Sequence, residues 1–188
     1  LIKHFSRYWL AGLICLCGML TGCLSEDQGS TASMATNSPG ANTLRINLAS
    51  EPPTLDPIRV TDLTSLDVVN QLMVGLTRID GQSRVVPGLA ARWEVGEGGR
   101  LWRFWLNPKA QWHDGQPVTA SHVRDGLRRA LTPANGSEYA FFLFDIANAK
   151  PFYDGKLKSF DSVGIQVESP TRLSIRLSRP IAFFDSLM

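Results

Sequence analysis

The stretch RWEVGEGGRLWRFWL, residues 92–106, decides the fold of this chain. It contains two short apolar runs, 92–95 and 101–106, separated by a loop with three glycines. Side chains alternate between the faces of a strand, so Trp102, Phe104 and Leu106 share one face and Leu101, Arg103 and Trp105 share the other. We therefore predict a β-hairpin with one buried face. The glycine-rich loop matches no phosphate-binding spacing, and a hairpin turn explains it better.

A helix and a second hairpin are predicted downstream. Thr119 suits the N-cap of a helix that runs to about Leu131. Because His122 stands three residues later where Glu or Gln is usual, no full capping box is expected. Alternating apolar residues predict two strands joined by a turn at 169–171. The apolar positions of these elements are Val123, Leu127, Ala130 and Leu131 in the helix, and Val163, Ile165, Val167, Leu173, Ile175 and Leu177 in the strands.

The remaining elements complete an α+β pattern. Residues 44–48 alternate as a half-buried strand, and 65–78 carries a helical apolar face capped by Thr64 or Ser65. The aromatic-rich segment 138–149 is predicted to be helical, with Tyr139, Phe142 and Ile146 on one side. Pro180 is expected to start a last helix through Leu187. The order strand, helix, hairpin, helix, helix, hairpin is typical of the α+β class.

Composition argues against nucleic-acid binding. The chain has 188 residues, 44% of them hydrophobic, and a formal net charge of +2. Lys3 and Arg7 lie in a segment that we expect to be removed, which leaves equal numbers of basic and acidic residues. The lack of a basic stripe argues against binding driven by phosphate contacts.

The N-terminus has the pattern of an export signal. Lys3, His4 and Arg7 precede a short apolar run, 9–20, which is too short to span a bilayer and suits the core of a secretory signal. The run ends in Leu-Thr-Gly-Cys, 20–23, which looks like a bacterial lipobox. We predict a signal peptide over 1–22, lipidation of Cys23, and a flexible tether over 23–43 that is rich in Ser, Thr, Gly and Asn.

No residue pattern indicates catalysis, a metal or a cofactor. Cys15, Cys17 and Cys23 all lie near the N-terminus, so the body of the protein offers neither a disulfide framework nor a thiolate site. The sequence WHDG at 112–115 is interpreted as a turn with a solvated His113, since the other histidines do not supply metal-ligand spacing. No nucleophile elbow and no paired carboxylates stand out.

Aromatic residues divide into two groups. The tryptophans outside the signal lie at strand spacing or beside turns, which favours packing in the core or on the sheet. Tyr139 opens an aromatic segment just after the turn at Asn135-Gly136. The residues alone leave open whether Tyr139 walls a binding cleft or packs in the core.

From Leu44 to Met188 the chain resembles the N-terminal part of family 5 extracellular solute-binding proteins, the oligopeptide- and dipeptide-binding lipoproteins of ABC importers. Eight short stretches carry the resemblance in order along the chain. They are 51–57 (EPPTLDP), 75–76 (GL), 86–90 (VPGLA), 93–95 (WEV), 102–106 (WRFWL), 112–120 (WHDGQPVTA), 164–167 (GIQV) and 173–177 (LSIRL).

The resemblance implies an incomplete periplasmic-binding-protein-like lobe (class II, type C) with a mixed sheet and packed helices. Residues 44–188 would then be the N-terminal part of a domain whose second lobe closes over the ligand. In such proteins the stretch after Leu-Asp-Pro runs along the ligand backbone, which here is Thr61, Asp62 and Leu63. In some members the first tyrosine of the aromatic segment also reaches the ligand, and Tyr139 matches that tyrosine.

The implied function is capture of oligopeptides and their delivery to an ABC permease. The expected protein is exported to the periplasm or cell surface, lipid-anchored and monomeric, with no catalytic residues, no metal and no cofactor. Three alternatives stay open: another ligand in the same family, such as a metal chelate, opine or sugar; a secreted lipoprotein hydrolase; and a fragment without activity of its own.

Overall fold

The computed structural model describes residues 45–188 as an antiparallel sheet with short helices packed against it. All of its elements lie within the unit Asn47–Met188. The helices are α1 (Leu63–Leu72), α2 (Ala120–Leu131) and α3 (Ala149–Tyr153), and the strands are β1 (Thr77–Ile79), β2 (Val85–Pro87), β3 (Ala90–Gly96), β4 (Leu101–Leu106), β5 (Ile165–Ser169) and β6 (Arg172–Arg176). Short 3-10 turns cover Pro133–Asn135, Ala140–Leu143, Phe160–Ser162 and Phe184–Leu187.

The main sheet has the strand order β3-β4-β6-β5, and each of these pairs is antiparallel. The two predicted hairpins, β3–β4 and β5–β6, are therefore confirmed, and they join through β4 and β6. Phe104 lies opposite Leu173 and Trp102 lies opposite Ile175 in this central pairing. β1 and β2 form a separate two-stranded antiparallel sheet.

One face of the sheet forms the core, as the alternation along β4 predicts. Phe104, Leu173 and Ile175 are fully buried, and Trp102 is 4% exposed. Arg103 on the opposite face reaches Glu168. The turn between β3 and β4 adopts positive φ at Glu97, Gly98 and Gly99, which explains the glycines in the loop.

Helix α2 packs against the core through its predicted apolar stripe. Leu131 is fully buried, while Val123, Leu127 and Ala130 pack against the core cluster. Thr119 caps the helix as predicted, but the expectation of an incomplete capping box was wrong. His122 Nδ1 accepts a hydrogen bond from Thr119 N–H, so a ring nitrogen supplies the acceptor that Glu or Gln usually provides.

Gly164 allows the chain to approach the sheet closely. Its N–H donates to the Ala147 carbonyl and its carbonyl accepts from Arg176 N–H. A Cβ at this position would lie 2.6 Å from the Arg176 carbonyl oxygen. The absence of a side chain therefore lets the segment around residue 147 lie directly against the end of β6.

The strand predicted over 44–48 is not observed in its described part, 45–48. Ile46 is 61% exposed and Leu48 is 36% exposed, and these residues have no regular secondary structure. Alternation alone does not make a strand, because the backbone groups also need a neighbouring strand to pair with.

Helix α1 differs from the helix predicted over 65–78. It begins two residues earlier, ends at Leu72, and is capped by Asp62 rather than by Thr64 or Ser65. Val69 is buried, but Leu72 is 63% exposed and Met73 is 49% exposed. The helix ends early because the backbone turns extended at Met73.

The aromatic segment 138–149 is not one helix. It folds as a 3-10 turn over Ala140–Leu143, after which Asn148 takes a positive φ and α3 begins at Ala149. Ile146 is buried, whereas Tyr139 and Phe142 are about half exposed, so the predicted shared side was wrong. The helix predicted from Pro180 is likewise reduced to the 3-10 turn Phe184–Leu187.

Truncation of Leu173 tests whether the β4–β6 pairing anchors the fold. Leu173 is fully buried against Phe104, so Leu173→Ala should lower the free energy of unfolding by about 2–5 kcal/mol. Leu66→Ala is the matched control, because Leu66 is 42% exposed on α1 and its truncation should cost less than about 0.5 kcal/mol. Urea unfolding of both variants measures the difference, and equal losses would contradict this core assignment.

Candidate functional site

The segment Thr61–Leu63, predicted to contact a ligand, forms the start of helix α1. Asp62 is the N-cap, and its Oδ1 accepts a hydrogen bond from Ser65 N–H at 2.8 Å. Hydrogen bonds from the main chain and the side chain of Ser65 hold the pKa of Asp62 below its ordinary value, because they favour the charged carboxylate. The Asp62 carboxylate is therefore already engaged within the protein.

Thr61 and Leu63 are exposed on either side of this cap. Leu63 is 78% exposed, and Thr61 is also exposed. Within residues 45–188, neither the main-chain N–H nor the carbonyl of Thr61 makes a hydrogen bond. The segment thus presents free main-chain groups immediately before a helix whose start is fixed by its cap.

A loop on the N-terminal side supports this helix start. Ser65 is fully buried, and Thr54 N–H points to its Oγ at 3.5 Å. Ser50 Oγ and Thr64 Oγ1 lie 3.2 Å apart, within hydrogen-bonding distance. The first turn of α1 is therefore held against residues 50–54.

Asp56, in the Leu-Asp-Pro motif, is the centre of a tight turn. Its Oδ1 accepts from Ile58 N–H and its carbonyl accepts from Arg59 N–H. Both carboxylate oxygens also accept from Arg129 at the end of α2, each at 2.6 Å. This forked ion pair lowers the pKa of Asp56 and raises that of Arg129.

Tyr139 lies at the start of the 3-10 turn, in a cluster of exposed rings that we call the aromatic triad: Tyr139, Phe141 and Phe142. The ring centroids are 4.4 Å apart for Phe141 and Phe142, and 6.2 and 6.0 Å from Tyr139 to each of them. The exposed fractions are 48%, 52% and 49%. Ala140 and Leu143 anchor the turn, because both are buried.

Sequence reasoning missed Phe141 and misplaced Phe142. A buried pair at i and i+3, here Ala140 and Leu143, is the signal of a 3-10 turn and would have directed the aromatic rings outward. A surface cluster of three rings is unusual for a soluble protein and is typical of a contact surface. The triad therefore extends the candidate site beyond Tyr139.

The predicted site residues fall into two places. Thr61, Asp62 and Leu63 lie together at the start of α1, and Tyr139 lies in the separate aromatic turn. Among the described residues, no hydrogen bond or ring contact joins Tyr139 directly to the 61–63 segment.

The titratable groups outside these two places can be compared with the arrangement that a metal ion needs. No cluster of three or more His, Cys, Asp or Glu residues suited to a metal ion occurs in this range. His113 is exposed at the tip of the hairpin over 111–117, as the turn interpretation predicts. His122 Nδ1 accepts from Trp112 Nε1 as well as from Thr119, which makes it part of the helix cap. Cys23 lies outside the described residues.

An exposed apolar strip runs along α1 and the residues that follow it. Its members are half or more exposed although they are large and apolar: Leu63, Leu72, Val74 and Ile79, with Met73 close to half. None of the helices in residues 45–188 has the length and apolar character needed to cross a bilayer.

The chain is similar in sequence to known bacterial solute-binding proteins over most of its length. Residues 84–188 match the family model described as bacterial extracellular solute-binding proteins, family 5 Middle. The probable deoxycholate-binding periplasmic protein YgiS of Escherichia coli is 35% identical over 161 residues, which is 84% of this chain and 30% of that protein. The oligopeptide-binding protein OppA of Bacillus subtilis is 32% identical over 169 residues, 90% of this chain and 31% of that protein.

Solved structures agree with the sequence matches. The complex of Haemophilus influenzae OppA with RPPGFSPFR superimposes with a TM-score of 0.71 and 30% identity, and the match covers 75% of this chain and 28% of that one. The predicted periplasmic-binding-protein-like lobe is thereby confirmed. The chain spans about a third of the length of the curated relatives that it matches.

The capping role of Asp62 predicts a titration at low pH. Since the folded-state pKa is lowered, the cap is intact above about pH 4 and is lost as the pH falls through the lower folded value. The Ser65 amide resonance should therefore shift in an NMR titration with a midpoint below about 4. Asp62→Asn keeps a good N-cap without a titrating group and should abolish this shift. A midpoint above 4, or a shift that persists in Asp62→Asn, would contradict the assignment.

Proposed function

The chain belongs to family 5 of the bacterial extracellular solute-binding proteins, and we propose that it is the N-terminal part of a protein that captures oligopeptides and delivers them to an ABC importer. Relatives named for oligopeptide binding, and a similar structure solved with a bound peptide, support this ligand class. The whole binding site would also need groups from a second lobe.

The main-chain N–H and carbonyl of Thr61 are the observation that best supports peptide binding. They are exposed and make no hydrogen bond within residues 45–188, and Asp62 and Ser65 fix the backbone that follows them. An extended peptide can pair with such groups as an added strand does, which gives affinity with little dependence on the peptide's side chains. A carrier that accepts many sequences needs this form of recognition.

The aromatic triad is proposed as a wall of the same site. Three exposed rings offer a large rigid surface at low cost in side-chain entropy, and they suit the apolar parts of a peptide. Tyr139 adds a hydroxyl that can hydrogen-bond to the ligand. Phe141 and Phe142 have no polar group, so their contribution would be contact area alone.

The proposed mechanism is physical rather than chemical. Ligand would bind the closed arrangement of two lobes more tightly than the open one and so shift the population toward closure. The exposed apolar strip along α1 suits packing against a further domain of a two-lobed protein. A permease in the membrane would then recognise the closed form. No catalytic step is part of this proposal.

A second ligand class has one observation in its favour. The relative with 35% identity is named as a probable deoxycholate-binding protein, and the aromatic triad would also suit a flat apolar ligand. Deoxycholate has no peptide backbone, so it could not use the main-chain groups of Thr61 in the same way. Competition between deoxycholate and peptide therefore separates the two ligand classes.

Peptide binding by the complete gene product tests the function. A mixture of short peptides that includes RPPGFSPFR should be retained and recovered intact, whereas cleavage would favour a hydrolase. Tyr139→Ala should weaken binding of RPPGFSPFR about 3- to 10-fold in calorimetry, the range expected for loss of one aromatic contact.

Two variants serve as controls for this measurement. Tyr139→Phe keeps the ring and reports the hydroxyl alone, and Val95→Ala changes an exposed residue of β3 outside the candidate site. Unchanged affinity in Tyr139→Ala would remove Tyr139 from the site. Binding of deoxycholate with no binding of any peptide would replace the proposed ligand class.

Export and lipid anchoring complete the proposal. The apolar run 9–20 and the tetrapeptide that ends at Cys23 support cleavage before Cys23 and acylation of its thiol. Because one acyl chain gives only marginal membrane binding, stable anchoring would need the multiple chains that bacterial lipoproteins carry.

Substitution of Cys23 tests the anchor. Cells grown with an alkyne-labelled fatty acid should incorporate label into the wild-type protein, and Cys23→Ser should lose the label and leave the membrane fraction. Cys17→Ser, which changes a cysteine within the predicted signal, is the matched control and should keep both. Equal labelling of wild type and Cys23→Ser would contradict lipidation at this position.

A further inference from the structure

The N-terminal part of the candidate site has one polar connection to the rest of the fold. Within the described residues, the Asp56–Arg129 ion pair is the only side-chain hydrogen bond or ion pair between residues 47–72 and residues 74–188. No backbone hydrogen bond crosses between these ranges either. The pair joins positions 73 residues apart in the sequence.

Apolar packing at α1 is also limited. Val60 and Val69 are buried, but neither belongs to the main core cluster. The leucines of the helix are exposed, Leu63 at 78%, Leu72 at 63% and Leu66 at 42%, and Val68 is partly buried. Since non-directional contacts leave the orientation of a helix loosely specified, the directional ion pair is the contact that can fix it.

Arg129 also holds the turn that leads to the aromatic triad. Its carbonyl accepts a hydrogen bond from Asn135 Nδ2 at 2.8 Å. Asn135 precedes Gly136, which takes a left-handed conformation, and Ser137, which is buried. The side chain of Arg129 therefore fixes one part of the candidate site, and its main chain fixes the approach to the other.

We infer that Arg129 is a positioning residue that sets the 61–63 segment and the aromatic triad in their relative places for ligand binding. This role rests on the proposed function. It concerns orientation rather than stability, because Arg129 is 49% exposed and exposed ion pairs contribute little to folding. The forked geometry supplies the required direction, since a planar guanidinium aligns with both oxygens of one carboxylate.

The structure offers a matched control for this inference. Arg179 makes a forked pair with Asp145, at 2.7 and 3.1 Å, elsewhere on the surface. Arg179 is 70% exposed and neither partner is part of the candidate site. Arg179→Ala therefore removes the same kind of interaction without touching the proposed ligand contacts.

Hydrogen exchange on the 188-residue chain tests the positioning directly. Arg129→Ala should lose protection at the Ser65 and Leu66 amides, while the amides of Phe142 and β4 stay protected because alanine keeps the main-chain carbonyl that holds Asn135. Arg179→Ala should leave all of these unchanged. If Arg129→Ala also loses protection in β4, it has unfolded globally. Asp56→Asn, which is close in shape and cannot form the ion pair, then replaces it as the deciding variant.

Peptide affinity of the complete gene product tests the consequence, with RPPGFSPFR as the probe. Arg129→Ala should bind about fivefold or more weakly, and Arg129→Lys should recover part of the loss because lysine keeps the charge but not the fork. The Arg129→Ala/Tyr139→Ala double variant should lose less than the product of the two single effects, since a misplaced 61–63 segment already weakens the contact between the ligand and Tyr139. Arg179→Ala should bind like wild type.

Two results would overturn the inference, and they differ from failure of the proposed function. Unchanged affinity in Arg129→Ala alongside weaker binding by Tyr139→Ala would remove the positioning role and leave the function standing. Retained protection at Ser65 and Leu66 in both Arg129→Ala and Asp56→Asn would do the same. Absence of peptide binding by the wild-type gene product would overturn the function and the positioning role together.

Discussion

The alternation of side chains along β4 is the constraint on which the rest of this structure depends. Trp102, Phe104 and Leu106 must leave water together, and they can do so only if β4 has neighbours on both sides and a layer packed over one face. β3 and β6 supply the neighbours, and α2 supplies part of the layer. Leu131 is fully buried at the end of α2, so its packing fixes the position of that helix end against the core.

The candidate site depends on where α2 ends. Arg129 lies in its last turn, so the packing of Leu131 determines where the guanidinium of Arg129 can reach. That guanidinium holds Asp56, and the Asp56 turn precedes the start of α1. The segments proposed to face the ligand are therefore attached to the well-packed core by few contacts. Such an arrangement is typical of elements that move when a ligand binds.

The sequence predicted the elements whose pattern is local. The two hairpins and α2 follow from alternation, glycines and an apolar stripe, which lie within a few residues of each other. The strand over 44–48 was wrong because pairing depends on a distant partner, and the helix over 138–149 was wrong because Asn148 leaves helical space. The Asp56–Arg129 pair joins positions 73 residues apart, so no periodicity could reveal it. For the site, the resemblance to the family singled out Asp62 and Tyr139, but the sequence predicted neither the capping role of Asp62 nor the exposure of Phe141.

Photo-crosslinking tests the central claim most directly. A short peptide with a benzoylphenylalanine residue, bound to the complete gene product and irradiated, should attach to residues within 61–66 and 136–142, which mass spectrometry of the digested adduct would identify. An excess of unlabelled peptide should suppress both adducts. Adducts confined to the outer sheet face around Arg103 and Arg172, or no suppressible adduct at all, would contradict the account.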